Sequence, residues 1–313
     1  MKALITGSAG FIGSHLCREL EENGYEVVRC DLRGEGDIVA MDILDAEAVR
    51  RVLEEQRPDV LINMAGQANV GLSWKKPQLT VQLNTIGLIN ILEGVRAVDK
   101  TIRVLAVGSS DEYGSLEERG VNVTEDMPVR PITPYAISKE AQEHFAQLYK
   151  RAYGMDICMI RLFNLGGPLQ AKGYMISDFA SGVAEVEAGL REALAVGNLT
   201  SARDFTHVKD AVRACRLIAE KGRSGEVYNI CSGRTYTAQE VLDKLISLAR
   251  TPIRVVQDPA RMRPSDTPVV CGNHDKLTSH TGWVPERSLD EALRDTLDYW
   301  RGEIQKDRKE GSP

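Results

Sequence analysis

Apolar and polar positions follow two rhythms along this chain. In the first half, short continuous apolar runs of the kind buried on both faces of a sheet are separated by segments with helical spacing. The runs are Ala3–Ile5, Tyr25–Cys30, Ile38–Met41, Val60–Gly66, Ile102–Val107 and Ile157–Phe163. Helices are predicted between them, from the first glycine turn to about Asn23, then over Ala46–Gln56, Leu79–Val98 and Tyr135–Tyr153. The Leu79–Val98 segment is apolar on more than one face, which predicts one face on the sheet and another against a second subunit. Between Ser115 and Pro134 the pattern lapses into a long loop. Beyond Asn164 the rhythm is mixed, with helices over Ile176–Gly189, Val208–Glu220, Ala238–Ala249 and Leu289–Trp300, and strands over Ala193–Val196, Val227–Cys231 and Ile253–Gln257. Alternation followed by mixture predicts an α/β fold, a doubly wound parallel sheet with a smaller mixed α/β lobe across its carboxyl edge. The first domain is expected at 1–165 with 205–232 returning to it. The second lobe takes 166–204 and 233–300, and 301–313 a frayed tail.

Composition removes several alternatives. A chain of 313 residues with 42% hydrophobic residues buries a large core, and no apolar run is long enough to span a membrane. The N-terminus enters the first strand directly, leaving no room for a signal peptide. Six cysteines without a C-x-x-C pair read as core residues of a cytoplasmic protein, and five histidines without ligand spacing predict no metal. A net charge of −6 argues against a nucleic-acid surface, so an anionic ligand must be held by local arginines and helix ends.

The sharpest local signal is the turn after the first strand. Gly7, Gly10, Phe11, Ile12 and Gly13 place glycines at a G-x-x-G-x-x-G spacing between strand and helix. Gly7 permits the turn, Gly10 lets a pyrophosphate approach the backbone, and Gly13 lets the helix pack on the strand. The free N–H groups of the helix's first turn then face phosphates. The second strand ends in Asp31, at the distance expected of a carboxylate on an adenosine ribose. Asp31 repels a 2′-phosphate, which favours NAD(H), while Arg33 leaves NADP(H) open.

A second cluster carries proton chemistry. Tyr135 and Lys139, spaced i, i+4, share a helix face just after Pro134. A free tyrosine titrates near ~10, and a neighbouring ammonium together with an oxidised nicotinamide would lower that value. Ser109 and Ser110 end the strand after Ile102, and Ser110 is favoured as the hydroxyl that holds a reacting oxygen. Asp111 and Glu112 follow, either as an acid and base for eliminating water or as solvated loop carboxylates.

Together TGSAGFIGSHL, Asp31, MDILD, the SS-D-E-Y-G segment and YAISK resemble the extended short-chain dehydrogenases/reductases that act on nucleotide sugars. The resemblance implies a Rossmann-type domain in which Lys139 grips the nicotinamide ribose, Tyr135 exchanges the proton and Ser110 orients the oxygen. It also implies Asp42 and Ile43 at the adenine, and Ala65 and Gly66 along the cofactor backbone. VGLSWKKP, GNLTSARDFTHVKD and RPSDTP resemble the branch that handles GDP-mannose, with Arg203 and Arg263 on a diphosphate, Asp266 on the nucleotide ribose and Asn164 on a phosphate oxygen. The leading expectation is a homodimeric reductase that converts a GDP-4-keto-6-deoxy-mannose to GDP-rhamnose. A GDP-mannose 4,6-dehydratase with Glu112 as base, a nucleotide-sugar epimerase and an NAD(H)-sensing protein stand as rivals.

Overall fold

The computed structural model describes residues 1–114, 122–259 and 269–310. Its strands are Lys2–Thr6 (β1), Glu26–Asp31 (β2), Val39–Ala40 (β3), Val60–Asn63 (β4), Arg103–Ser109 (β5), Asn122–Val123 (β6) and Ile157–Leu162 (β7). They continue with Asn164–Gly166 (β8), Leu194–Val196 (β9), Ala202–His207 (β10), Val227–Ile230 (β11), Thr235–Thr237 (β12), Val255–Gln257 (β13) and Cys271–Gly272 (β14). Seven of them form one parallel sheet in the order β11-β7-β5-β4-β1-β2-β3. The order reverses beside β1, so a crevice opens at the carboxyl ends of β1 and β4, where such sheets bind ligands.

Helices cover both faces because the central strands present apolar residues to both sides, as in β4, whose four residues are all buried. On one face lie α1 (Phe11–Glu22) and, later in the chain, Val208–Lys221, packed on Ala3, Ile5, Ile62 and Ile160. On the other lie α2 (Ala46–Gln56) and the helices ending at Val98 and Tyr153, over Leu4, Leu61, Val104 and Met159. Asp45 caps α2 by accepting the Glu47 and Ala48 N–H groups, a contribution of about 1 kcal/mol. The chain then forms α3 (Val70–Lys75) and a helix predicted as a single unit. It is α4 (Pro77–Val81) and α5 (Gly87–Val98), joined without interruption by a π-helical turn at Gln82–Ile86.

The long helix α6 (Pro134–Tyr153) starts at a Thr133 cap with Pro134 in its first turn and stops at Gly154, whose φ is +71°. These are the start and stop signals its sequence carries. The remaining helices are α7 (Met175–Glu187), α8 (Val208–Lys221), α9 (Ala238–Ser247), α10 (Asp275–Thr281) and α11 (Leu289–Glu310). A separate apolar cluster unites α7, α9 and α11 through Phe179, Val183, Leu242, Leu293 and Leu297. Of the segment 205–232, α8 packs on α1 and β11 joins the large sheet, while β10 sits between β12 and β8 in a three-stranded sheet.

One expectation is corrected at the C-terminus. Residues 301–310 are not a frayed tail but the continuation of α11. The Arg301 guanidinium bridges to Glu187 at 2.7 Å and Ile304 is buried, so the lobe's own packing holds these turns.

Candidate active site

The glycine turn is built as its spacing demands. Gly7 has φ +65°, and a β-carbon there would lie 2.8 Å from the Ala65 nitrogen; one at Gly13 would lie 2.1 Å from the Gly7 carbonyl oxygen. At Gly10 it would meet only that oxygen, at 3.2 Å. The N-terminus of α1 has no side-chain cap, which leaves its first N–H groups for an anion. Phe11 and Ile12 open the helix, half-buried. Asp31 ends β2 and accepts the Ala9 N–H at 3.0 Å and the Leu32 N–H at 2.8 Å, so it also holds the turn's shape. Arg33 is exposed two residues on. Thr6 stitches the neighbouring strand end by donating to Asn63 at 2.6 Å and accepting the Ala65 N–H at 3.1 Å.

Around this turn the other expected cofactor positions gather. Asp42 is half-buried and accepts the Leu44 N–H at 2.9 Å, while Ile43 is buried against Gly87. Ala65 and Gly66 follow β4, and Gly66 approaches both Asn84 and Lys139. A cradle whose glycines cannot carry side chains, with a carboxylate at the next strand end, fits a dinucleotide.

The proton-handling groups lie on β5 and α6. Lys139 is buried and donates from Nζ to the Val107 carbonyl at 2.7 Å. Burial lowers its pKa to about 8, against the pull of nearby Glu112. Tyr135 is buried too, and the serine whose side chain acts on its phenol is Ser109, one residue before the favoured Ser110. Ser109 is the last residue of β5, whereas Ser110 begins a short 3-10 turn over Ser110–Tyr113. The Tyr135 pKa is raised, first by burial and then by the Asp111 charge, with Ser109 opposing. Burial outweighs the lowering expected from a neighbouring ammonium, so Tyr135 holds its proton, as a donor must.

Glu112 departs further from expectation. It is 0% exposed, and its Oε1 accepts the Ser109 N–H at 2.6 Å in a capping box. It is a buried clamp rather than a solvated loop carboxylate. Asp111 is the carboxylate of this segment whose charge acts most strongly on Tyr135.

Two contributors were not singled out from the sequence. Asn84, in the π-turn, accepts the Gln67 N–H at 2.8 Å and donates to the Gln67 carbonyl at 3.0 Å and to Ser138 Oγ at 2.9 Å. Ser138 in turn donates to the Tyr135 carbonyl at 2.7 Å, so Asn84 ties the loop after β4 to the turn bearing Tyr135. Its signal was a polar amide among the apolar residues of the predicted helix. The second is Tyr174, just before α7, a phenol close enough that its ionised form would oppose ionisation of Tyr135. On the far side of the cleft, Asn164 in β8 is paired with Phe205 of β10, two residues from Arg203, whose guanidinium donates to the Ala202 carbonyl at 2.7 Å. Arg263 and Asp266 lie outside the described residues. Among the described residues no cluster has metal-ligand character, and no helix is long and apolar enough to cross a membrane.

A protonated phenol near a serine hydroxyl, with an ammonium one turn away, suits proton exchange beside a redox-active ring. That use, on a parallel sheet with a glycine cradle at its switch point, defines a nicotinamide-dependent enzyme of the short-chain dehydrogenase/reductase type. The family model described as "GDP-mannose 4,6 dehydratase" matches residues 4–296, and the chain belongs to that family. It is 31% identical to the GDP-6-deoxy-D-mannose reductase of Pseudomonas aeruginosa over 98% of this chain and 99% of that one. Two solved structures align over 96% of this chain and 99% of theirs, each at 30% identity. RMD from Pseudomonas aeruginosa complexed with NADPH has a TM-score of 0.88, and the Thermus thermophilus UDP-glucose 4-epimerase complex with NAD has one of 0.87.

Proposed function

We propose that this protein reduces the C4 ketone of GDP-4-keto-6-deoxy-D-mannose to give GDP-D-rhamnose. The observation that carries the reading is the state of the two polar groups a rival reaction would use differently. Tyr135 is held as a proton donor, and Glu112, the expected base for eliminating water, is committed to the Ser109 N–H. The near full-length likeness to a GDP-6-deoxy-D-mannose reductase supports the same choice. Reduced nicotinamide, when bound, supplies the hydride. Tyr135 gives its proton to the oxygen at C4, Ser109 takes over the orienting role expected of Ser110, and Lys139 grips the nicotinamide ribose.

Gly7, Gly10, Phe11, Ile12 and Gly13 hold the pyrophosphate, Asp31 the adenosine ribose, Asp42 and Ile43 the adenine, and Ala65 and Gly66 the cofactor backbone. NAD(H) is preferred because of Asp31, with Arg33 the group that would pair with the 2′-phosphate of NADP(H). Asn164 and Arg203, with Arg263 and Asp266, hold the GDP-sugar. Residues 1–165 and 205–232 serve as the cofactor domain, and 166–204 with 233–300 as the substrate lobe. Exposed Val81, Ile86, Ile137 and Leu148 on the helices ending at Val98 and Tyr153 form the contact of a homodimer, which sedimentation would reveal. Six free thiols suit the cytoplasm.

The test is to supply the purified protein with GDP-4-keto-6-deoxy-D-mannose and NADH or NADPH, following loss of reduced cofactor and identifying the sugar. A second reading, 4,6-dehydration of GDP-mannose, rests on Asp111 as the carboxylate acting on Tyr135. Rapid conversion of GDP-mannose and oxidised cofactor to the 4-keto sugar, abolished by Asp111→Asn, would replace the reductase with that dehydratase.

A further inference from the structure

Beneath the Ser109–Tyr135 pair lies a polar group buried with incomplete satisfaction. The Glu112 carboxylate fills the space in front of Gly108, where a β-carbon would lie 2.3 Å from its Oε1. That oxygen accepts the Ser109 N–H; the other, Oε2, makes no hydrogen bond. The nearest guanidinium, Arg161 Nε, is 3.8 Å from Oε2. It is already engaged by Glu143, with Nε to Oε2 at 3.0 Å and Nη2 to Oε1 at 2.9 Å. Gln142, whose side-chain amide is likewise unpartnered, lines the same gap as Gly108 and Glu143. Two carboxylates thus share one guanidinium, and the pairing is unequal. An ionised carboxylate left half-bonded in such a place is costly, and a neutral one far less so.

We propose that Glu112 is a positioning residue that works in its protonated form, its carbonyl oxygen clamping the Ser109 N–H so that the Ser109 hydroxyl meets Tyr135. The groups facing it are Glu143 and Lys139 from α6, Arg161 from β7, and Tyr135 across the turn. Glu143 opposes its ionisation while Arg161 and Lys139 favour it, and with burial the balance carries the carboxyl up to about 8. The neutral state also spares Tyr135 a second nearby anion beside Asp111, since either charge raises the phenol's proton affinity.

The inference rests on Tyr135 being the proton donor, so the test separates the two ideas. Difference infrared spectra between the wild type and Glu112→Gln need no turnover. They should show the C=O band of a protonated carboxylic acid at neutral pH, fading as pH rises through about 8. In ketone reduction, Glu112→Leu should lower kcat at least tenfold relative to Glu112→Gln, which keeps the acceptor for the Ser109 N–H, with KM for NADH within threefold. Absence of the acid band at neutral pH would overturn the protonated form. Equal kcat in the Gln and Leu variants, with Tyr135→Phe inactive, would overturn the clamp, whereas an active Tyr135→Phe would sink the proton-donor reading instead. If the Leu variant does not fold, Glu112→Asp takes its place. Its shorter side chain cannot reach the same N–H, and activity equal to the Gln variant would be equally fatal to the clamp.

Discussion

Asp204 and Glu112 are both 0% exposed, yet they are opposite in character. Asp204, in β10, accepts the Ser232 N–H at 2.9 Å, the Ser232 hydroxyl at 2.6 Å, the Gly233 N–H at 3.0 Å and the Gly272 N–H at 3.1 Å. Glu112 accepts a single N–H and keeps an oxygen without one. Burial raises both pKa values, but at Asp204 four donors oppose it. A carboxylate saturated with donors is a staple, joining β10 to the chain after β11 and to β14. One left short of donors is the one proposed to carry its own proton, and it sits beside Ser109 and Tyr135 rather than between structural segments.

Removing the staple should have the largest effect. Asp204→Ala leaves several buried donors without a partner, at about 1–3 kcal/mol each, so denaturant unfolding should show a loss of roughly 4 kcal/mol or failure to fold. Glu112→Gln should cost under about 1 kcal/mol, because one acceptor is kept and no charge is removed. Equal losses would erase the distinction between the two carboxylates.

Next in size is the chemistry above Glu112. Tyr135→Phe should lower kcat by roughly 100- to 10,000-fold while cofactor affinity, followed by fluorescence titration, stays within twofold. Ser109→Ala should lose roughly 100-fold, and Ser110→Ala a few-fold at most. A larger loss at Ser110 would return the orienting role to that residue.

Stability against pH sharpens the comparison further. A glutamate whose folded pKa is raised from 4.5 to about 8 keeps a proton that the unfolded chain releases. The native state is therefore penalised increasingly as pH rises from 4.5 to about 8. Glu112→Gln escapes that penalty, so its stability relative to wild type should climb across this window and level off above it. Lys139, lowered from 10.5 to about 8, acts in the adjoining window in both proteins: its burial cost, present below about 8, is relieved as pH rises to 10.5. A stability difference that is flat from pH 4.5 to 8 would mean that Glu112 is ionised throughout.

A smaller change than at Tyr135 or Ser109 lies at the cofactor turn. Asp31→Ala should weaken NAD(H) binding about tenfold, the worth of one charge-assisted hydrogen bond, and shift preference towards NADP(H). Unchanged preference by calorimetry would detach Asp31 from the ribose.

What the sequence disclosed follows from how directly each feature is encoded. The seven-stranded core was legible because buried parallel strands read as apolar runs, and Gly7 and Gly13 because only glycine fits their contacts. The choice between Ser109 and Ser110 was not, since it depends on where β5 gives way to a 3-10 turn, a shift of one residue. Glu112 stood open between a base for eliminating water and a solvated loop acid, because its neighbours Arg161, Glu143 and Lys139 are distant in sequence. Short pieces such as α3, β8 and α10 carry too few positions to show a period.

The π-turn at Gln82–Ile86 has a consequence for how this protein can change length. A π-helical turn is an α-helix with one residue inserted, so deleting a single residue there would restore regular hydrogen bonding and look harmless. In a regular helix such a deletion would rotate all that follows by about 100°. The wide turn absorbs its extra residue instead, so Leu88, Ile91 and Leu92 would keep the face they pack against. What the deletion removes is the bulge that carries Asn84 to Gln67 and Ser138, so a chain shortened there would keep its core and lose its tie to the site.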